Sequence, residues 1–145
     1  KGLPGERSLS HADDVALLRH YYEKSNPFSP LRVEHNFGLL MFYCSAFMKH
    51  FVYYSAKNEA VVIAMQNGPV LICFDLFCDV GKSLSTLVNE LADDHVYQAI
   101  LGFTPSEDRL GEYEKIEGED ILFVYDQKEN LFKDRKLMFP LLAHA

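Results

Sequence analysis

The spacing of apolar residues near the start of the chain predicts a helix. Val15, Leu18 and Tyr22 recur at intervals of three and four residues, which places them on one helical face. Ser10 can cap this helix at its start. Asn26-Pro27 ends it, because the residue before a proline is pushed out of the helical region.

A second helix is predicted from the next apolar stripe. Ser29-Pro30 is typical of a helix start, with a capping residue followed by a proline at the first helical position. Apolar residues then recur at helical spacing from Phe37 to Phe51 and fill much of the circumference. We therefore expect the second helix to be largely buried.

The middle of the chain has the pattern of three consecutive strands. Val52–Ser55, Ala60–Met65 and Val70–Phe77 are rich in β-branched and aromatic residues. Asn67-Gly68 is a hairpin signal between the second and third strands. The third strand is almost continuously apolar, so we expect it to be buried on both faces and central in the sheet.

A helix and further strands are predicted after the meander. Apolar spacing from Leu84 to Leu91 indicates a helix, and Val96–Phe103 indicates a strand. Tyr113–Ile116 and Asp120–Tyr125 have the pattern of a final pair of strands. The apolar tail at 137–142 is expected to dock on the core, because an exposed patch of this kind would be sticky.

The order of these elements predicts an α+β (mixed α/β) fold. Two N-terminal helices precede an antiparallel meander, and one helix crosses over to the next strand. The length of 145 residues suits a single domain over the whole chain. The chain begins at Lys1 rather than at an initiator Met, which favours its being the C-terminal part of a longer protein.

Charge and cysteine content exclude several classes of function. Lys and Arg number 14 against 21 Asp and Glu, a net charge of -7, which opposes binding to nucleic acid or to anionic membrane surfaces. No apolar stretch approaches the roughly 18 residues that a membrane helix needs. The three cysteines have no metal-ligand spacing, so we expect no metal site and a reducing, cytoplasmic location.

The order of helices and strands resembles the GNAT superfamily of N-acyltransferases across residues 10–125. In that family the central strand ends in a loop that holds the pyrophosphate of acetyl-CoA together with the start of the following helix. The matching segment here is Phe77–Ser83, and Lys82 could add positive charge to its amides and helix dipole. The resemblance implies a GNAT-like layer and acetyl-CoA as the cofactor. The implied cofactor-binding residues are Phe77, Cys78, Gly81, Lys82 and Ser83.

The same resemblance implies candidates for proton transfer. Asp75 interrupts the apolar central strand, and an acidic residue on this strand can act as the general base that takes a proton from an amine. The alternative is a structural carboxylate with its own hydrogen-bond donors. Tyr125, with Tyr113 and Tyr97 as alternatives, is the candidate for the general acid that protonates the departing thiolate.

Two functions remain open at this point. The first is a GNAT-like N-acetyltransferase that acylates an amine on a small molecule or a peptide. The second is a noncatalytic, degenerate acyltransferase-fold domain that packs against an upstream domain or a second copy of the chain. Gly81 is the only glycine in the segment where the family has a glycine-rich signature, and this favours the second function.

Overall fold

Helices on both faces cover a four-stranded mixed sheet in the computed structural model, which describes residues 12–106, 112, 132 and 135–144. The elements in chain order are α1 (Ala12–Lys24), α2 (Phe37–Phe42), β1 (Val52–Ser55), β2 (Ala60–Asn67), β3 (Val70–Cys78), α3 (Leu84–Leu91) and β4 (Gln98–Leu101). A π-helical turn at Tyr43–Phe47 extends α2, and a 3-10 turn at Leu141–Ala143 lies near the C-terminus.

The sheet combines a meander with one helical crossover. Its strand order is β1-β2-β3-β4, with antiparallel pairing within the meander and parallel pairing of β3 with β4. Parallel neighbours require a crossover connection, and α3 provides it. The α+β fold class predicted from the sequence is confirmed.

Each face of the sheet has its own hydrophobic core. On one face, α3 packs through Leu84, Leu87 and Leu91. On the other face, α1 contributes Leu18 and Tyr21. Strand β3 supplies residues to both cores, because it lies between β2 and β4. Burial on both faces explains the almost continuous apolar sequence of this strand.

A one-residue bulge divides β3 into two halves. Ile63 pairs with Asp75, but the next residue of β2 pairs with Cys73, so Phe74 is the extra residue. Cys73 belongs to the core under α3, whereas Phe74 packs against the core under α1 and α2. Without the bulge, strict alternation would place Asp75 on the same face as Cys73. The bulge instead turns Asp75 away from the core under α3.

Strands β3 and β4 separate at this bulge. Their pairing runs from Val70 to Cys73 on β3, and the Gly102 amide makes the last contact with the Cys73 carbonyl at 2.7 Å. A Cβ on Gly102 would lie 2.5 Å from the carbonyl oxygen of Phe74. Only glycine therefore fits where the two strands part.

Most of the predicted elements are confirmed. Helix α1 and helix α3 have the expected positions, and β1 has the predicted bounds. Strands β2 and β3 meet at a turn in which Gly68 has a φ of 58°, a conformation that favours glycine. The strand predicted over Val96–Phe103 is shorter, Gln98–Leu101, because the chain leaves the sheet at Gly102. The cap predicted at Ser10 lies outside the described residues.

The prediction for the second helix is wrong in two respects. Ser29 does not begin a helix, because its hydroxyl accepts the amide of Leu31 in a local turn, and α2 starts only at Phe37. The helix is also not largely buried. Phe42, the last residue of α2, is 55% exposed, and Phe47 in the π turn is 66% exposed.

The C-terminal segment docks on the core as predicted. Leu142 is 5% exposed within the core under α1 and α2, and the Leu141 amide donates to the Gly102 carbonyl at 2.9 Å. This segment therefore lies beside the point where β3 and β4 part. The strands predicted over Tyr113–Ile116 and Asp120–Tyr125 lie outside the described residues.

We predict that Gly102→Ala destabilises the protein by about 1–3 kcal/mol, because its Cβ overlaps the backbone of Phe74. Gly38→Ala is the matched control, since a Cβ on Gly38 meets nothing within 4 Å. The control should be neutral or stabilising by up to about 1 kcal/mol, because alanine favours helix. Urea unfolding of both variants measures the difference. A Gly102→Ala protein as stable as the parent would contradict this close approach.

Candidate functional site

A small cavity lies beside the bulge, between the end of α1, the loop that follows it and the C-terminal segment. Its volume is about 30 Å³, space for roughly one or two water molecules. The lining residues are Tyr22, Ser25, Asn26, Ser29, Leu31, Arg32, Val33, Asn36, Leu40, Asp75, Phe77, Pro140, Leu142 and Ala143. The cavity therefore combines an apolar wall with several polar groups and one partly buried acidic residue, Asp75.

Asp75 is the acidic group of this cavity. Its Oδ1 accepts a hydrogen bond from Asn26 Nδ2 at 2.8 Å and another from the Leu76 amide at 2.9 Å. Its Oδ2 accepts none from the described residues. Among these residues no fully buried side-chain oxygen or nitrogen lacks a hydrogen-bond partner, so Oδ2 faces accessible space. Since Asp75 lines the cavity, its carboxyl group has one oxygen fixed by the protein and one that is left available to a ligand there.

Asn26 is held in place by the turn that ends α1. Ser25 has a φ of 65°, and its amide donates to the Tyr22 carbonyl at 3.0 Å, which closes the helix. The Asn26 Oδ1 then accepts the Phe28 amide at 2.9 Å. Because this oxygen accepts, the Asn26 Nδ2 is left to donate to Asp75. The end of α1 therefore positions the hydrogen-bond donor that orients the carboxyl group.

Burial raises the pKa of Asp75 from 3.8 to about 6. The hydrogen bonds from Asn26 and from the Leu76 amide lower the pKa, but desolvation outweighs them. A carboxyl group with a pKa near 6 can both bind and release a proton near neutral pH. This is the protonation behaviour that a general base requires.

The three thiols do not share this behaviour. All are free and buried, and desolvation raises the pKa of Cys44 to about 12 and that of Cys78 to about 11. Burial also raises the pKa of Cys73 far above its ordinary value. Because the thiolate is the nucleophilic form, none of these cysteines is poised as a nucleophile.

The segment expected to bind pyrophosphate consists of the end of β3 and a short loop. Phe77 and Cys78 belong to the strand and are buried in opposite cores, so their side chains are not available to a cofactor. Gly81 has a φ of 88°, and a Cβ there would meet nothing within 4 Å. Ser83 caps α3 by accepting the Thr86 amide at 3.3 Å. The accessible part of the segment is therefore the loop at 79–83.

Two surface ion pairs flank this loop. Lys82 Nζ lies 3.4 Å from Glu59 Oε2, and Lys24 Nζ donates to Asp79 Oδ2 at 2.7 Å. The hydrogen bond from Lys24 lowers the pKa of Asp79, so this carboxylate stays charged beside the loop. Exposed pairs of this kind contribute little stability, and an anionic ligand could replace Glu59 on Lys82.

The structure places the predicted catalytic and binding residues in two regions. Asp75 lines the cavity, whereas Gly81, Lys82 and Ser83 lie in the loop beyond the end of β3. Tyr125 lies outside the described residues, as does Tyr113. Tyr97 is 79% exposed and its amide donates to the carbonyl of Pro69, at the opposite end of β3 from the loop.

Asn26 and Arg32 are cavity residues that the sequence pattern does not single out. The sequence pattern indicates Asn26 only as the residue at which the first helix ends. Asparagine in a turn also commonly forms side-chain hydrogen bonds with nearby backbone groups. Arg32 lies in a segment expected to be helical and is instead part of the loop lining the cavity. No local sequence signal connects either residue to Asp75.

The part of the chain that the structure describes offers neither a metal site nor a membrane span. It contains no group of three or more His, Cys, Asp or Glu side chains that could hold a metal ion. Across the same ranges, no helix has the length and apolar character to cross a membrane.

Comparisons with family models, with curated proteins and with solved structures gave no match for this chain. The resemblance to the N-acyltransferases therefore depends on the order of elements alone and stays a prediction.

We predict that Asp75 makes the folded state less stable as pH rises. Its pKa is raised on folding, so the protonated form favours the native state below about pH 4, and this contribution is lost as pH rises through about 6. Relative to Asp75→Asn, the free energy of unfolding of the parent should fall by at most about 3 kcal/mol between about pH 4 and pH 7.

Urea unfolding of both proteins across this range measures the change. The amide side chain of the Asp75→Asn variant keeps an oxygen that can accept from Asn26 and from the Leu76 amide, so the variant should fold. Taking the difference between the two proteins removes the contribution of the other titrating groups. A difference that is independent of pH, or that increases in the opposite direction, would contradict the raised pKa.

Proposed function

We propose that this chain is a GNAT-like N-acyltransferase domain that transfers an acetyl group from acetyl-CoA to an amine. The observation that carries the proposal is the carboxyl group of Asp75, which the bulge in β3 turns into a cavity where its pKa rises to about 6. A buried acidic group next to a cleft is a candidate catalytic group, because catalysis at neutral pH needs such a pKa.

The parallel pair of β3 and β4 supports the same proposal. The two strands are joined by α3, and they part at Phe74 and Gly102. The pairing ends there, and the Gly102 carbonyl accepts the Leu141 amide instead, so an extended ligand between the strands would have to displace the C-terminal segment. The cavity with Asp75 adjoins this point, so an amine held there would be close to a ligand between the strands.

The positive charge and the solvent exposure of the loop residues suit the binding of a diphosphate. Gly81 is open to solvent, Lys82 has only a weak exposed partner in Glu59, and the loop leads directly into the capped start of α3. Helix starts attract anions through their dipole and amides. Gly81, Lys82 and Ser83 would hold the diphosphate of acetyl-CoA, which supplies the activated acyl group.

Asp75 would act on the amine. Its Oδ2 is left available in the cavity and would accept a proton from the ammonium group, which leaves the nitrogen lone pair free for attack. Asn26 would keep the carboxyl group oriented during this proton transfer through its bond to Oδ1. Tyr125 remains the proposed general acid for the thiolate.

A second candidate function is a noncatalytic domain of the same fold that packs against an upstream domain or a second copy. Two observations favour it. Pro140 and Leu142 fill the space next to the parting strands, and the Leu76 amide already donates to Asp75 rather than standing free for a ligand. Binding of acetyl-CoA would require the C-terminal segment to move away from this position.

The proposed location is the cytoplasm, and the partners are a small-molecule or peptide amine and acetyl-CoA. Three free, buried cysteines favour a reducing compartment, because thiols in oxidising compartments tend to form disulfides.

We predict that acetyl-CoA binds the chain and that Lys82→Ala weakens this binding by roughly tenfold, as expected for the loss of one charge-assisted contact. Lys49→Ala is the control, because Lys49 is an exposed lysine before β1, at the opposite end of that strand from the turn that carries Glu59. Isothermal titration calorimetry measures both affinities. The absence of any binding at millimolar acetyl-CoA would exclude the transferase and leave the noncatalytic domain.

A second prediction separates chemistry from binding. Asp75→Asn should keep acetyl-CoA affinity while acetyl transfer to amines such as polyamines falls by roughly 10²- to 10⁴-fold, the usual contribution of a general base. A coupled assay for released CoA thiol measures the rate. Unchanged transfer in this variant would show that Asp75 has no catalytic role.

A further inference from the structure

The polar groups that line the cavity differ in how many of their hydrogen bonds are already made within the protein. The Tyr22 hydroxyl accepts the Asn36 amide at 2.8 Å, and the Asn36 Nδ2 donates to the Ala143 carbonyl at 3.3 Å. The Ser29 hydroxyl donates to the Leu31 carbonyl and accepts the Leu31 amide. These groups hold the wall together and have little capacity left for a ligand.

Two charged groups remain available to a ligand. Asp75 has Oδ2 left available at the cavity, and Arg32 lies on the exposed side of the lining. They are the two charged residues of the lining. Arg32 makes no ion pair and no hydrogen bond with any residue in the described ranges. The lining of the cavity thus includes an acidic side chain and an exposed, unpaired guanidinium, in a chain whose net charge is -7.

The size of the cavity limits what can enter. A volume of about 30 Å³ holds a group of the size of a water or an ammonium ion and excludes a larger substituted nitrogen. The remainder of the ligand would stay on the solvent side of the lining, where Arg32 is exposed. An exposed guanidinium is suited to a carboxylate, which it can bind through two parallel hydrogen bonds.

We propose that the cavity binds a small zwitterion, a primary amine joined by a short chain to a carboxylate, with the ammonium at Asp75 and the carboxylate at Arg32. The role of this ligand as an acceptor for acetyl transfer rests on the function proposed above. Its binding alone does not require an acyl donor. A plain amine would lack the contact with Arg32 and should bind more weakly.

The test uses glycine, β-alanine and 4-aminobutanoate, each compared with its primary amide. The amide keeps the amine and the chain length but removes the carboxylate charge. We expect at least one acid of the series to bind at millimolar concentration, about tenfold more tightly than its amide. Chemical shift changes in nuclear magnetic resonance spectra of the chain give both affinities.

Three variants assign this preference to the guanidinium. Arg32→Gln should remove the preference for the acid and leave amide binding unchanged, whereas Arg32→Lys should keep part of it. Arg135→Gln is the control, because Arg135 is exposed and does not line the cavity. Equal binding of acids and amides, a preference that survives in Arg32→Gln, or no binding of any acid at millimolar concentration would each overturn the inference.

An acetyl transfer assay with the same acids separates this inference from the proposed function. Binding that depends on Arg32, without acetyl transfer from acetyl-CoA, would reject the proposed function and keep the zwitterion site. Transfer to amines and acids alike, with no effect of Arg32→Gln, would keep the proposed function and reject the zwitterion site.

Discussion

The extra residue in β3 is the constraint on which the rest of the site depends. Phe74 has no partner of its own on β2, so the residues after it change faces relative to those before it. The change keeps Leu76 and Phe77 in apolar cores and places Asp75 where Asn26 can reach it. Had the strand kept strict alternation, the same carboxyl group would face the apolar core under α3, where burial of a charge is costly.

Three further contacts converge on the bulge. Gly102 approaches the backbone of Phe74 so closely that no side chain fits, and β4 leaves the sheet there. The end of α1 brings Asn26 to the carboxyl group, and the C-terminal segment closes the cavity through Leu142. The site is therefore assembled from segments far apart in the chain. The tight closure of this site bears on both candidate functions. It raises the pKa of Asp75, which suits a catalytic group, and it limits the access of a ligand, which suits a noncatalytic domain.

The sequence predicted the elements better than it predicted their contacts. Apolar spacing located α1, β1, β3 and α3, because this signal is local. The exception was Ser29-Pro30, where the hydroxyl closes a turn instead of capping a helix. The bulge could not be predicted, because an almost continuously apolar strand has no alternation to interrupt. Asp75 stands out as an anomaly in that strand, but its partner Asn26 lies 49 residues away, and Arg32 is also distant in the chain. Contacts of this kind depend on how the elements pack.

The proposed transferase function depends on whether the carboxyl group of Asp75 exchanges a proton near neutral pH. The hydrogen bonds from Asn26 and from the Leu76 amide would by themselves hold the pKa of this carboxyl group near or below its ordinary value. A carboxyl group with one oxygen in a desolvated cavity titrates higher. The most direct measurement is a carbon-13 nuclear magnetic resonance titration of the aspartate side-chain carboxyl carbons, with Asp75 assigned by the loss of its signal in Asp75→Asn. We predict a midpoint near 6, and a midpoint at about 4 or lower would contradict the account.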